Sequence, residues 1–154
     1  ILEQQSLATE CGVSHRTVVR WLGVLDTCFQ IVRLPPSSDE YGRRLVRRDK
    51  IHFLQGGPFE SRVISEIYRN AMHAGEPVEL RYWRDSNGLE IPLIVEQEGL
   101  PSLPVGIRAA TTPREVAHRL RWRDLAGVEK AALIGERESG GRIGGILRYA
   151  WTQL

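Results

Sequence analysis

Five cations crowd into residues 43–50 of this 154-residue chain: Arg43, Arg44, Arg47, Arg48 and Lys50, with Asp49 the only acid among them. A cluster of that sign suits a polyanion, because each phosphate it meets forms an ion pair and releases counter-ions. Upstream, Ser14, His15, Arg16, Thr17 and Arg20 bring hydroxyl, imidazole and guanidinium groups together, the donors that reach phosphates and base edges. Farther on, Glu90 and Pro92 interrupt the otherwise apolar stretch 89–95, which marks a site or the remains of one. Other chemistries find little footing. The chain has no G-x-x-x-x-G-K-[ST] phosphate loop, so ATP hydrolysis is not expected on it. His15, His52, His73 and His118 are scattered, and Cys11 and Cys28 have no ligand spacing. The pairs Gly140-Gly141 and Gly144-Gly145 read as turn and bulge glycines. No cofactor and no metal are expected.

Elements must hold these groups in place. Residues 5–10 read as a short helix, and Gly12 supplies the positive φ of the turn after it. Ser14 caps a second helix whose Val18, Leu22 and Leu25 form one buried stripe, leaving His15, Arg16, Thr17 and Arg20 outside. This is a helix-turn-helix pattern. Residues 28–34 and 44–54 then read as two strands, a wing whose tip and return carry the cation cluster. The same cluster also suits a solvated edge that discourages strand aggregation, and the same helices also serve as protein-docking modules.

Gln55-Gly56-Gly57-Pro58 marks a boundary between residues 1–55 and 56–154. Residues 58–74 read as a long amphipathic helix, and residues 79–84, 89–96 and 102–108 as three strands, the first two joined through Asn87-Gly88. The middle strand, nearly all apolar, is expected to be sheltered on both faces. A helix over 113–125 follows, with Val116, Ala117 and Leu120 inward, then a strand over 129–135 and a last strand over 142–151. The composition, 42% apolar and 26% charged, is that of a globular chain, and no apolar run reaches the length of a membrane helix. Two unpaired cysteines and no leader fit a cytoplasmic setting. The start at Ile1 rather than Met fits a piece of something longer.

The αβββαβ order resembles the restriction-endonuclease-like, PD-(D/E)xK, fold. More closely, the chain resembles the C-terminal region of bacterial and archaeal AAA+-type ATPases that carry a DUF4143 domain. The carrying words are LATECGVSHRTVVRWLGVLDTCFQIVRLPP, RRLVRRDKIHF, PFESRVISEI and YWRDSNGLEIPLIVE, in that order. The resemblance implies α/β architecture: an N-terminal winged helix-turn-helix followed by a restriction-endonuclease-like αβββαβ domain with a mixed sheet. It also implies a P-loop ATPase domain as partner, in cis or in trans.

Departures from the family pattern matter as much. A segment that usually follows the second wing strand is missing between HFLQGG and PFES. Glu60 and Glu90 match family acidic positions. Where the family strand continues to aspartate this chain has Pro92, and where the next strand carries glutamate and lysine it has Gly106 and Arg108. A magnesium-dependent phosphodiesterase needs paired carboxylates and a lysine that handles water. Pro92 and Gly106 offer no side-chain oxygen, and Arg108 does not deprotonate. The expectation is a non-catalytic DNA-binding or regulatory module, with Glu60 and Glu90 vestigial. Ser14, His15, Arg16, Thr17, Arg20, Arg43, Arg44, Arg47, Arg48 and Lys50 would contact double-stranded DNA. Two alternatives stay open: a protein-docking module of an ATPase or a homo-oligomer, and a magnesium-dependent nuclease with relocated ligands.

Overall fold

The computed structural model describes residues 3–38, 45–76, 78–109, 113–136, 140–143 and 145–154. Helices α1 (Gln4–Glu10) and α2 (His15–Thr27) come first. The Ser14 hydroxyl caps α2 by accepting from the Thr17 amide at 3.2 Å. Val18 and Leu22 are buried with Ala8 and Ile31, and Leu7, Val13, Leu25 and Ile51 close this small core. Strands β1 (Ile31–Leu34) and β2 (Lys50–Phe53) pair antiparallel, Ile31 against Phe53 and Leu34 against Lys50.

Both strands are shorter than the sequence pattern indicates, for two different reasons. Residues 28–30 form a turn in which Phe29 adopts a left-handed φ of 53°, so β1 starts only at Ile31. On the return side, the chain at 45–46 pairs with the end of the next strand instead of with β1. Leu45 bridges Asp85, and the Val46 amide donates to the Arg84 carbonyl at 2.9 Å. Arg43 and Arg44 lie outside the described residues.

Helix α3 (Phe59–Ala74) begins after Pro58, and strands β3 (Val78–Arg84), β4 (Glu90–Gln97) and β5 (Leu103–Arg108) follow. Helix α4 (Pro113–Ala126) crosses to β6 (Ala131–Gly135), parallel to β5. The last segment is two strands rather than one. β7 (Gly141–Ile143) and β8 (Ile146–Ala150) pair antiparallel, with Gly145 at φ 84° between them. The six-stranded mixed sheet runs β3-β4-β5-β6-β8-β7, so β8 inserts between β6 and the edge strand β7. At the β3–β4 hairpin the Asp85 amide donates to Leu89, and Gly88 takes φ 85°, a conformation that a Cβ would resist.

The two faces of the sheet are covered differently. On one, α3 sets Val63 and Ile64 against Leu80, Tyr82, Leu93, Val105, Ile107, Ala132 and Ile134. On the other, Trp122 of α4 packs edge-on to Trp83, ring centres 6.3 Å apart, together with Ile91 and Ile94. Strand β4 is thus sheltered on both sides. Tyr82 faces two β4 residues, Pro92 and Leu93, because the register shifts there. Such a bulge suits proline, which has no amide hydrogen for the ladder.

The α3-side core does not stop at the Gln55–Pro58 segment. Val32, Leu34 and Leu54 belong to it. Parting the first 54 residues from the sheet would expose these side chains, at roughly 1.5–3 kcal/mol each. The segment 35–37 also lies along β3, with the Tyr82 amide donating to Pro35 at 3.1 Å and the Ser37 amide to Tyr82 at 2.7 Å. The two stretches are separate words in sequence and one packed body in space.

Candidate functional site

Lys50 opens β2, Glu60 lies in the first turn of α3, and Glu90 opens β4. An acid in a first helical turn is favoured by the amides that point out of it. The three side chains meet. The Lys50 ammonium donates to Glu60 Oε1 at 2.7 Å and to Glu90 Oε1 at 2.6 Å, and the residue is only 8% exposed. Each carboxylate also has an arginine: Arg84 stands 3.2 Å from Glu90 Oε2, and Arg108 stands 3.7 Å from Glu60 Oε2. Burial by itself would raise the Glu90 carboxyl. The hydrogen bond and charge of Lys50, with the charges of Arg84 and Arg108, outweigh it and hold the carboxyl below its usual value.

This placement corrects one expectation. Lys50 is not a surface cation waiting for phosphate; it is buried and committed to two carboxylates of the sheet domain. Strand β2 makes the reason plain, since it turns Lys50 and His52 toward α3, leaves Ile51 to the small helical core and leaves Phe53 exposed.

His52 is the neighbour that sequence reading missed. Its Nδ1 lies 3.2 Å from the Ser61 hydroxyl, and Ser61 in turn accepts through its carbonyl from Ser65 at 2.7 Å. Its Nε2 is buried without a hydrogen-bond partner and lies 3.8 Å from Glu60 Oε1. Desolvation lowers the imidazole pKa from 6.5 to about 4, helped by Lys50 and opposed by Glu60. The alternation of Lys50 and His52 along one strand was the available signal.

Of the positions compared with the family, Pro92 and Gly106 are buried in adjacent strands, and Arg108 ends β5 half-buried. Among the described residues, no group of three or more His, Cys, Asp or Glu side chains is arranged to hold a metal ion. As it stands, the cluster balances charge. An ammonium occupies the space between the carboxylates.

The expected nucleic-acid contacts lie elsewhere. His15, Arg16 and Arg20 are exposed on α2, whereas Ser14 and Thr17 are engaged with each other at the cap, their hydroxyl oxygens 2.9 Å apart. Arg47 and Arg48 are exposed, and Arg48 pairs with Glu3. His15, Arg33 and Arg48 line one depression of about 240 Å³ between the helices and the hairpin. Arg47, Arg48 and Arg84 line the neighbouring groove beside the turn 85–88. Arg48 belongs to both, so the two depressions adjoin, with Glu3 and Asp49 among the cations of the first and Asp85 among those of the second.

No helix of the described residues is long and apolar enough to cross a membrane. Comparison with curated proteins gave no match, and neither did comparison with solved structures. Two family models do match. Residues 1–61 match a domain of unknown function, DUF8612, and residues 55–148 match another, DUF4143. The second covers most of the chain, including α3, the whole of β3 to β7 and the acidic half of the Lys50 cluster, and the chain therefore belongs to the DUF4143 family.

Proposed function

We propose that this chain is a non-catalytic DNA-binding or regulatory module. The observation that carries the reading is the exposed pair Arg16 and Arg20 on α2, together with the two adjoining depressions that share Arg48, one lined also by His15 and Arg33 and the other by Arg47 and Arg84. In this reading residues 1–55 act as a winged helix, with Arg16 and Arg20 of α2 directed at DNA and Arg47 and Arg48 on its backbone. The sheet domain is a nuclease-like αβββαβ scaffold without catalysis. Lys50 supports that part, because its ammonium holds the two carboxylates a divalent cation would need. A P-loop ATPase domain, in cis or in trans, and a cytoplasmic setting belong to the same proposal.

The test is binding of labelled DNA as a function of salt. Affinity is expected to fall steeply between about 50 and 200 mM salt. Arg16→Ala with Arg20→Ala is expected to weaken it further, and unchanged binding by that pair would refute the assignment of α2. Cleavage of plasmid DNA with Mg²⁺ or Mn²⁺ that Glu90→Ala abolishes would refute the non-catalytic reading. One observation favours the docking alternative: Phe29, Tyr68 and Met72 line a groove over Leu54 beside the end of α3. A salt-insensitive self-association weakened by Met72→Glu would support it.

A further inference from the structure

Four tryptophans are present, and their placements differ. Trp83 and Trp122 are fully buried, whereas Trp21, in the middle of α2, is 50% exposed. Its surroundings on the helix are specific. Arg16 and Arg20 are one turn apart, Val24 follows Arg20 by one turn, and Trp21 lies three residues before Val24, so the four follow one another around an arc of about 140° on the helix. Arg16 and Arg20 are exposed and have no ion pair among the described residues. Val24, beside the indole, is 54% exposed. Val18, Leu22 and Leu25 supply the small core under α2, and Trp21, three residues after Val18 and four before Leu25, borders that stripe while leaving half of its surface outward.

A closed duplex makes poor use of such a surface. Its bases present their edges in the grooves, while their faces are covered by stacking on one another. An indole plane gains most from a base face, and that gain does not depend on which base is presented. Cations beside an aromatic plane, with an apolar neighbour as floor, are what a strand with an unstacked base would find complementary.

We propose that α2 binds nucleic acid in which at least one base is unstacked, with Trp21 as the stacking platform and Arg16 and Arg20 on the flanking phosphates. This rests on the DNA-binding reading above and narrows it to unpaired or locally opened DNA. Stacking on a single aromatic side chain is worth on the order of tenfold or more in affinity.

The experiment uses the full chain and three fluorescently labelled DNAs of one sequence: a single strand, a closed duplex, and a duplex with a central unpaired bubble. The single strand and the bubble are expected to bind more tightly than the closed duplex. Trp21→Ala is expected to weaken both by roughly tenfold, with the duplex little changed, and Trp21→Phe to retain most of the affinity. Trp21→Phe, which keeps an aromatic ring at the border of the small core, is expected to keep the wild-type circular dichroism and melting temperature. Binding is also expected to quench wild-type tryptophan fluorescence more than that of Trp21→Phe. Equal affinity for all three DNAs, unaffected by Trp21→Ala, overturns the proposal and leaves the DNA-binding reading standing. Absence of binding to any of them overturns both. A change of sedimentation mass in Trp21→Ala, with DNA binding intact, overturns it in favour of a protein contact at this face.

Discussion

Replacing Lys50 with methionine keeps much of its length and removes the charge between Glu60 and Glu90. Both carboxylates lie within 2.7 Å of the ammonium, and their side chains are only 24% and 21% exposed. Removing one partner of a fully buried ion pair costs about 3–5 kcal/mol, because a charge is left uncompensated. Here Arg84 and Arg108 remain, at 3.2 and 3.7 Å, and both carboxylates keep some solvent. The expected loss is therefore about 2 kcal/mol, a drop of roughly 4–8 °C in Tm for a chain of this size. Urea unfolding at a series of pH values measures it. The folded-state carboxyl of Glu90 is depressed, so its contribution is present above the unfolded-state pKa and is lost as pH falls through the lower, folded value. Methionine removes most of that contribution, so the wild-type and variant curves should separate at neutral pH and converge in the acid range. Glu60→Gln with Glu90→Gln in the methionine background should recover much of the loss. A cost near zero at neutral pH, or one that does not change with pH, would refute the clamp.

Three further outcomes follow from side chains already described. His52, whose pKa is lowered to about 4, is expected to lose stability for the fold as pH drops from 6.5 toward 4, because the unfolded chain takes up the proton first. The loss is at most about 3 kcal/mol, and an NMR titration should show the His52 ring titrating near 4 rather than near the ordinary value of 6.5. Asp85→Ala removes an acceptor for the Asn87 and Leu89 amides, each at 2.9 Å, from a buried position. It should cost roughly 2–3 kcal/mol in denaturant unfolding. Trp122→Ala should cost about 3–5 kcal/mol and alter the near-ultraviolet circular dichroism that Trp83 shares with it, whereas Trp122→Phe should retain most of the stability.

Local rules made part of this molecule legible. The Ser14 cap, the Val18–Leu22 stripe and the hairpin at Asn87-Gly88 depend on neighbours a few residues away, and these form as the spacing indicates. Nothing local marks Trp122 as core, because charged residues surround it along α4; only the sheet face beneath selects it. In sequence Lys50 belongs with the arginines beside it, since a run of cations suggests a shared surface. Its role is set by Glu60 and Glu90, ten and forty residues away, and by a strand that buries its polar side. Along β2 the usual logic is inverted: the lysine and histidine point in, and the phenylalanine points out. Alternation puts Lys50 and His52 on one side of the strand, but no pattern within four residues says that this side is the inward one. The split of residues 142–151 into β7 and β8 likewise depends on β6 taking β8 as its parallel neighbour.

The backbone of residues 35–37 and 45–46 along β3 bears on how this protein stays in solution. An uncovered strand offers its amides and carbonyls to any other strand, and edge-to-edge growth is the common route to aggregates. Here Pro35, Ser37 and Val46 take up hydrogen bonds that Tyr82 and Arg84 would otherwise offer outward. The N-terminal 54 residues therefore act as an intramolecular guard for the sheet. Residues 55–154 made without them should precipitate or form fibrils at concentrations where the whole chain stays dispersed. Adding the missing segment as a separate polypeptide should restore solubility without any change in the sheet's own sequence.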